Sequence, residues 1–198
     1  YIFNGFNLSI KSASITLIEG YSQTGKTTLI KLLTQQILPT NGQIQIGKYL
    51  LNEIEPATWR KQFSLISEEL NLFGSTVFQA ISYSTTANKR KKASQLLKLF
   101  QLTKRKDAEA ILSQKLDTYM NESTDQERII LKFIRAFLTN KPFIFIDDLI
   151  HKLDFNNQAL VCNYLQNLGA QKTVIITSNQ AIKALHHDQK ILLQDPKP

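Results

Sequence analysis

The segment Gly20-Tyr21-Ser22-Gln23-Thr24-Gly25-Lys26-Thr27 follows the pattern G-x-x-x-x-G-K-T without deviation, and it constrains the chain more than any other feature. The preceding Ser14-Ile15-Thr16-Leu17-Ile18 is β-branched and strand-like, and Thr28-Leu29-Ile30-Lys31-Leu32-Leu33 has helical spacing. The loop therefore lies between a strand and a helix start. Glycines at 20 and 25 permit backbone angles that turn successive N–H groups inward, and the helix start adds partial positive charge. Residues Gly20 to Thr28 are read as a phosphate cradle, in which Lys26 reaches the β- and γ-phosphates and the Thr27 hydroxyl ligates magnesium.

A chance match in a glycine-containing turn is the bland alternative, and a second element weighs against it. Phe143-Ile144-Phe145-Ile146-Asp147-Asp148 offers four consecutive apolar residues followed by two carboxylates. Such a run reads as a strand buried on both faces that delivers Asp147 and Asp148 at its carboxyl end, where parallel sheets bind ligands.

At 198 residues the chain is long enough for one substantial core. It contains no run of 18 or more apolar residues, so no segment reads as membrane-spanning. The opening Tyr1-Ile2-Phe3 resembles the middle of a strand and suggests a piece of a longer protein. The single cysteine, Cys162, has no intrachain disulfide partner, and its apolar surroundings suggest a packed thiol in a reducing compartment. The net charge of +8 includes clusters at Lys89-Arg90-Lys91-Lys92 and Lys104-Arg105-Lys106. Because no aromatic residues interleave with them, they read as a solvated helical face or an attraction to an anionic membrane surface in preference to a nucleic-acid site. His186-His187 has no acidic or cysteine partner at ligand spacing and reads as a surface turn.

Strand-like segments fall near 6–10, 14–18, 43–47, 63–66, 143–147, 173–177 and 190–193, and Pro39-Thr40-Asn41-Gly42 is a turn. Residues 76–140 carry helix-length patterns, including Ala93 to Leu102 and Arg128 to Leu138, and no clear strand. That stretch reads as a helical insert within an α/β domain.

With these elements in order, almost the whole chain resembles the nucleotide-binding domain of an ABC transporter, especially the exporter type. Gly20 to Thr27 matches Walker A, Phe143 to Asp147 matches Walker B, and His151-Lys152-Leu153-Asp154 resembles the family's S-A-L-D loop, which makes Asp154 the D-loop aspartate. Leu72-Phe73-Gly74-Ser75-Thr76-Val77 resembles the exporter stretch L-F-S-G-T-I. The resemblance implies a P-loop NTPase, RecA-like α/β core, an N-terminal antiparallel β layer and an inserted helical subdomain over 76–140. It further implies ATP and Mg2+ as cofactors, head-to-tail dimers with a second such domain, a transmembrane domain fused upstream, and a place at the cytoplasmic face of a membrane.

Departures from the family pattern fall on the hydrolytic machinery. Asp148 stands where the family has the glutamate that polarises water, retracting the carboxylate by roughly 1 Å, a misplacement that can cost on the order of 10² in rate. Asn179 aligns with the switch histidine, and an amide cannot relay a proton. Glu68 aligns with the Q-loop glutamine and could join Thr27 and Asp147 as a magnesium ligand. Ser123-Thr124-Asp125-Gln126 is the counterpart of the signature S-G-G-Q, with both glycines gone, and the segment after it is one residue longer than usual. The expectation is an ABC transporter domain that binds MgATP with weak or lost hydrolysis. The alternatives are a non-hydrolysing, nucleotide-responsive dimerisation module or a soluble ABC-superfamily ATPase acting on nucleic acid.

Overall fold

A computed structural model describes residues 2–83, 86–104 and 106–194. Runs of β-branched and aromatic residues form five parallel strands in the order β4-β5-β6-β1-β7, with β1 at Ile15–Glu19, β4 at Phe63–Ile66, β5 at Phe143–Asp147, β6 at Thr173–Ser178 and β7 at Gln189–Leu192. A separate antiparallel pair joins β2 (Gln45–Ile46) to β3 (Tyr49–Leu50).

The two-residue period of the strands decides the layering. On β5, Phe145 faces one apolar cluster with Ile18, Trp59, Phe63 and Ile175, and Phe143 packs at its edge. The intervening Ile144 and Ile146 face the other cluster with Leu17, Val174 and Ile176. The run is therefore continuous in sequence because both faces are covered. On the first face sit α1 (Lys26–Leu33) and α2 (Pro56–Arg60), where Trp59 meets Phe143 edge-on at 5.1 Å and donates its indole N–H to the Leu33 carbonyl at 2.9 Å.

Between β4 and β5 lie five helices, α3 (Val77–Ser82), α4 (Ala87–Leu99), α5 (Ala108–Ser113), α6 (Leu116–Glu122) and α7 (Asp125–Leu138), with no strand among the described residues. They share one apolar cluster with the sheet's second face. α8 (Phe155–Gly169) joins that layer through Val161, Cys162 and Leu165. The hub is α7, which buries Ile130, Leu131, Phe133, Ile134 and Phe137 along one stripe. Each such side chain contributes roughly 1.5–3 kcal/mol by leaving water.

Some expected element bounds are corrected. Residues 6–10 alternate as a strand would, with Leu8 and Ile10 against the core, but among the described residues they join no ladder. Their tie to the sheet edge is the Gln189 side chain donating to the Ser9 carbonyl at 2.7 Å. Alternation fixes burial, whereas a strand needs a neighbour for its N–H and C=O groups. The 43–47 strand contracts to Gln45–Ile46, and the 93–102 helix shifts to Ala87–Leu99. Lys89 to Lys92 are thus helical, and the helix ends where Gln101 turns left-handed at φ 56°.

Candidate functional site

The sheet's carboxyl edge brings the expected residues to one level. Asp147 pairs in register with Thr177, and Thr177 pairs with Ile18 one residue before the end of β1. The cradle therefore leaves β1 beside the carboxylate of β5, with only β6 between them. The Thr27 hydroxyl lies 3.3 Å from Asp147 Oδ1, and the Thr177 hydroxyl donates to the same oxygen at 2.8 Å.

Within the loop, Thr24, Gly25 and Lys26 are buried, while Tyr21, Ser22, Gln23 and Thr27 are exposed and Thr28 is half-buried. Gly25 has φ 94°, and a β-carbon there would stand 2.5 Å from the Ile2 side chain and 2.9 Å from the Phe3 ring. A β-carbon on Gly20 would meet the Thr24 hydroxyl at 2.4 Å and the Leu193 carbonyl at 2.9 Å. Close approach of the Leu193 carbonyl thus requires glycine at 20, and the positive φ requires it at 25. The Lys26 ammonium donates to the carbonyls of Gly20 and Tyr21, each at 2.7 Å, which folds the lysine across the mouth of its own loop. α1 begins at Lys26 with no side-chain cap and no acidic residue in its first turn, so its first N–H groups face the loop without a competing carboxylate.

Asp148 occupies the left-handed region at φ 48°, uncommon for a residue other than glycine. Its N–H donates to the Thr177 carbonyl at 3.2 Å and hydroxyl at 3.1 Å, and its Oδ1 accepts the Asn179 N–H at 3.0 Å. His151 Nδ1 lies 3.1 Å from the same oxygen, without the alignment of a hydrogen bond. The structure brings Asp148 and Asn179 together, though through the Asn179 main chain. The sequence marks His151 only as the start of the D-loop-like stretch, and its place beside Asp148 is decided by the turn after β5.

Glu68 is drawn elsewhere. Its carboxylate pairs with the Lys152 ammonium, which lowers its pKa, and Lys132 donates to the carbonyls of Ser67 at 3.1 Å and Glu68 at 2.7 Å. Partial burial of Lys132 lowers its pKa in turn.

The signature-like segment forms the joint between α6 and α7. Ser123 is buried and donates to the Met120 carbonyl at 3.2 Å. Thr124 caps α7 in a capping box, its hydroxyl accepting the Glu127 N–H at 3.3 Å while the Glu127 carboxylate accepts the Thr124 N–H at 2.7 Å. Asp125 is solvent-facing in the first turn. Gln126 donates to the Lys152 carbonyl and accepts the Asp154 N–H, both at 2.8 Å, tying the helix start to the D-loop-like segment. Asp154 itself caps α8 through the Asn157 N–H at 2.9 Å. Among the described residues no hydrogen bond joins 123–126 to the cradle.

A strand-loop-helix cradle beside a strand-borne carboxylate defines a P-loop nucleotide-binding fold, and comparison with known proteins narrows it. The profile of the ABC transporter family matches residues 3–151. The chain belongs to the ABC transporter family, as an ATP-binding domain. It is 27% identical over 195 residues to an ATP-dependent lipid A-core flippase of Neisseria meningitidis, covering 98% of this chain and 31% of that protein. It is 28% identical over 198 residues to a probable ABC transporter ATP-binding/permease protein of Haemophilus influenzae, covering 98% and 35%. The chain thus spans about a third of the length of these relatives. In fold it is similar to a bacterial Atm1-family ABC exporter with ATP bound, at TM-score 0.83 and 18% identity, covering 98% of this chain and 34% of that one. It is also similar to an ATP-binding cassette in a dimeric post-hydrolysis state bound to ADP and phosphate, at TM-score 0.80 and 22% identity, covering 98% and 87%. The expected α/β P-loop fold is therefore the fold of this chain, with its antiparallel pair at residues 45–50.

Proposed function

We propose that this chain binds MgATP through Gly20 to Thr28 and uses it to drive dimerisation and coupled transport in a membrane exporter, with slow or lost hydrolysis. The observation that carries the reading is the oxygen pair Thr27–Asp147 set beside an uncapped helix start and a buried lysine. A hydroxyl and a carboxylate are hard oxygen donors suited to magnesium, and Thr27 and Asp147 would hold that ion, which would supply positive charge to offset that of the nucleotide phosphates. Lys26 would exchange its two carbonyl acceptors for phosphate oxygens. Glu68 is a candidate third donor only where it parts from Lys152. We take 76–140 as the helical subdomain, and a fused transmembrane domain together with a second ATP-binding domain as partners at the cytoplasmic face of a membrane. The support is that the relatives are about three times as long and that the related cassette is dimeric.

Slow turnover is favoured by the α7 start. An anion arriving there meets the Glu127 carboxylate already in the capping box and the Asp125 charge beside it. That self-filled helix end supports the second reading, a module that binds and dimerises without turnover. Equilibrium binding of a fluorescent ATP analogue, followed by phosphate release under saturating MgATP, tests both statements. Micromolar or weaker binding with almost no release is expected, whereas turnover of about 1 per second or faster would overturn the slow-hydrolysis reading.

A further inference from the structure

The whole net charge of the chain resides in one short stretch. Residues 86–106 hold eight basic and no acidic side chains, leaving sixteen basic against sixteen acidic residues elsewhere, so the stretch alone accounts for the +8. The structure sorts these charges. Arg90 is committed internally, paired with Glu109, donating to the Ser113 hydroxyl at 2.7 Å and stacked over Phe78 at 5.2 Å. Lys92 is committed as well, capping the carboxyl end of α7 by donating to the Phe137 carbonyl at 3.0 Å. Lys89, Lys91, Lys98, Lys104 and Lys106 remain exposed, and among the described residues none of their ammonium groups forms an ion pair. Lys91 and Lys98 are two turns apart and share one face of α4. Leu99 stands beside Lys98 with 47% of its surface exposed, while the nearby aromatic Phe100 is buried.

We propose that the exposed lysines of α4 and of the turn after it form a docking surface for an anionic lipid membrane. The exposed charges are lysines, compact point charges on flexible stems, which suit a fluid layer of headgroups. Nucleic acid would call for a groove, a bidentate arginine or an aromatic stacking platform, and the patch presents none of these: its described arginine is spent on Glu109 and its aromatic is buried. The exposed Leu99 offers a single apolar contact at headgroup depth. Such docking does not require the cradle to hydrolyse ATP.

Sedimentation of the 198-residue chain with phosphatidylcholine vesicles, with and without phosphatidylserine, provides the test. Binding is expected only with phosphatidylserine, and it should weaken as salt is raised. Each exposed lysine near such a surface raises affinity roughly fivefold, so replacing Lys89, Lys91, Lys98, Lys104 and Lys106 by Gln should lower it by about 10² or more. Lys11, Lys48, Lys61, Lys115 and Lys183 are also exposed, and the corresponding Gln variant carries the same net charge as the first. It should retain most of the binding, with both variants showing the parent's circular dichroism. Three results would each overturn the proposal: no dependence on phosphatidylserine, equal loss in the two variants, or tighter capture of a single-stranded oligonucleotide than of vesicles at the same salt, lost in the patch variant.

Discussion

At the scale of single residues, Lys26 and Asp148 carry the most specific expectations. Lys26 is buried with its charge held by two carbonyls, so it is pre-placed but not locked by a counter-ion. Replacement by Ala removes the one cation inside the cradle and should abolish nucleotide binding in titration calorimetry, while the fold persists. An unchanged affinity would remove the basis for calling this loop a phosphate site. Asp148 is held back toward the Asn179 main chain and His151. Asp148→Glu combined with Asn179→His should raise phosphate release by on the order of 10²-fold if only the water-positioning side is deficient. No gain, with binding intact, would assign the deficit to the segment at 123–126. These residues were legible in the sequence because their spacing follows a motif. The Glu68–Lys152 pair was not, since the two lie 84 positions apart and only folding brings them together.

At the scale of elements, helix ends decide behaviour more than helix interiors. α1 leaves its first turn without a side-chain cap, whereas α7 closes its own with Thr124 and Glu127. Thr124→Ala should therefore destabilise the fold by about 1 kcal/mol in urea denaturation, a loss typical of removing a cap. The same substitution at Thr27, which caps nothing, should leave stability nearly unchanged and instead weaken the magnesium dependence of nucleotide binding. The α7 capping box Thr124-x-x-Glu127 emerged only from the structure, since in sequence residues 123–126 read as the counterpart of the family signature. In Ser123-Thr124-Asp125-Gln126 the local cap accounts for Thr124, and the links from Gln126 to Lys152 and Asp154 account for Gln126.

At the scale of the whole molecule, one apolar cluster runs from the sheet into all the helices between β4 and β5, so α7 acts as a keystone. Phe133→Ala should cost about 3–5 kcal/mol and lower the melting temperature cooperatively, without a separate transition for the helices. Burial in this core raises the Cys162 thiol to about 11, from an ordinary 9.0, and the Tyr119 phenol to about 12. The folded chain thus keeps these protons to higher pH than the unfolded chain, so the contribution of Cys162 to stability should be lost as pH rises past about 9, measurable as a denaturation midpoint that declines less steeply in Cys162→Ala. In the native state Cys162 should resist thiol reagents at neutral pH, becoming reactive only on unfolding.

The sequence by itself determined the cradle, the acidic strand end and the doubly buried sheet, because each is a local pattern whose spacing matches a strand, a loop or a helix start. Only the tertiary structure decided what those groups touch. Residues 6–10 had the alternation of a strand and lacked a ladder partner among the described residues, Asp148 turned toward His151, and the excess charge collected on α4 and the turn after it. The physical reason is that pairing, counter-ions and exposure depend on neighbours distant along the chain, and local periodicity carries no record of them.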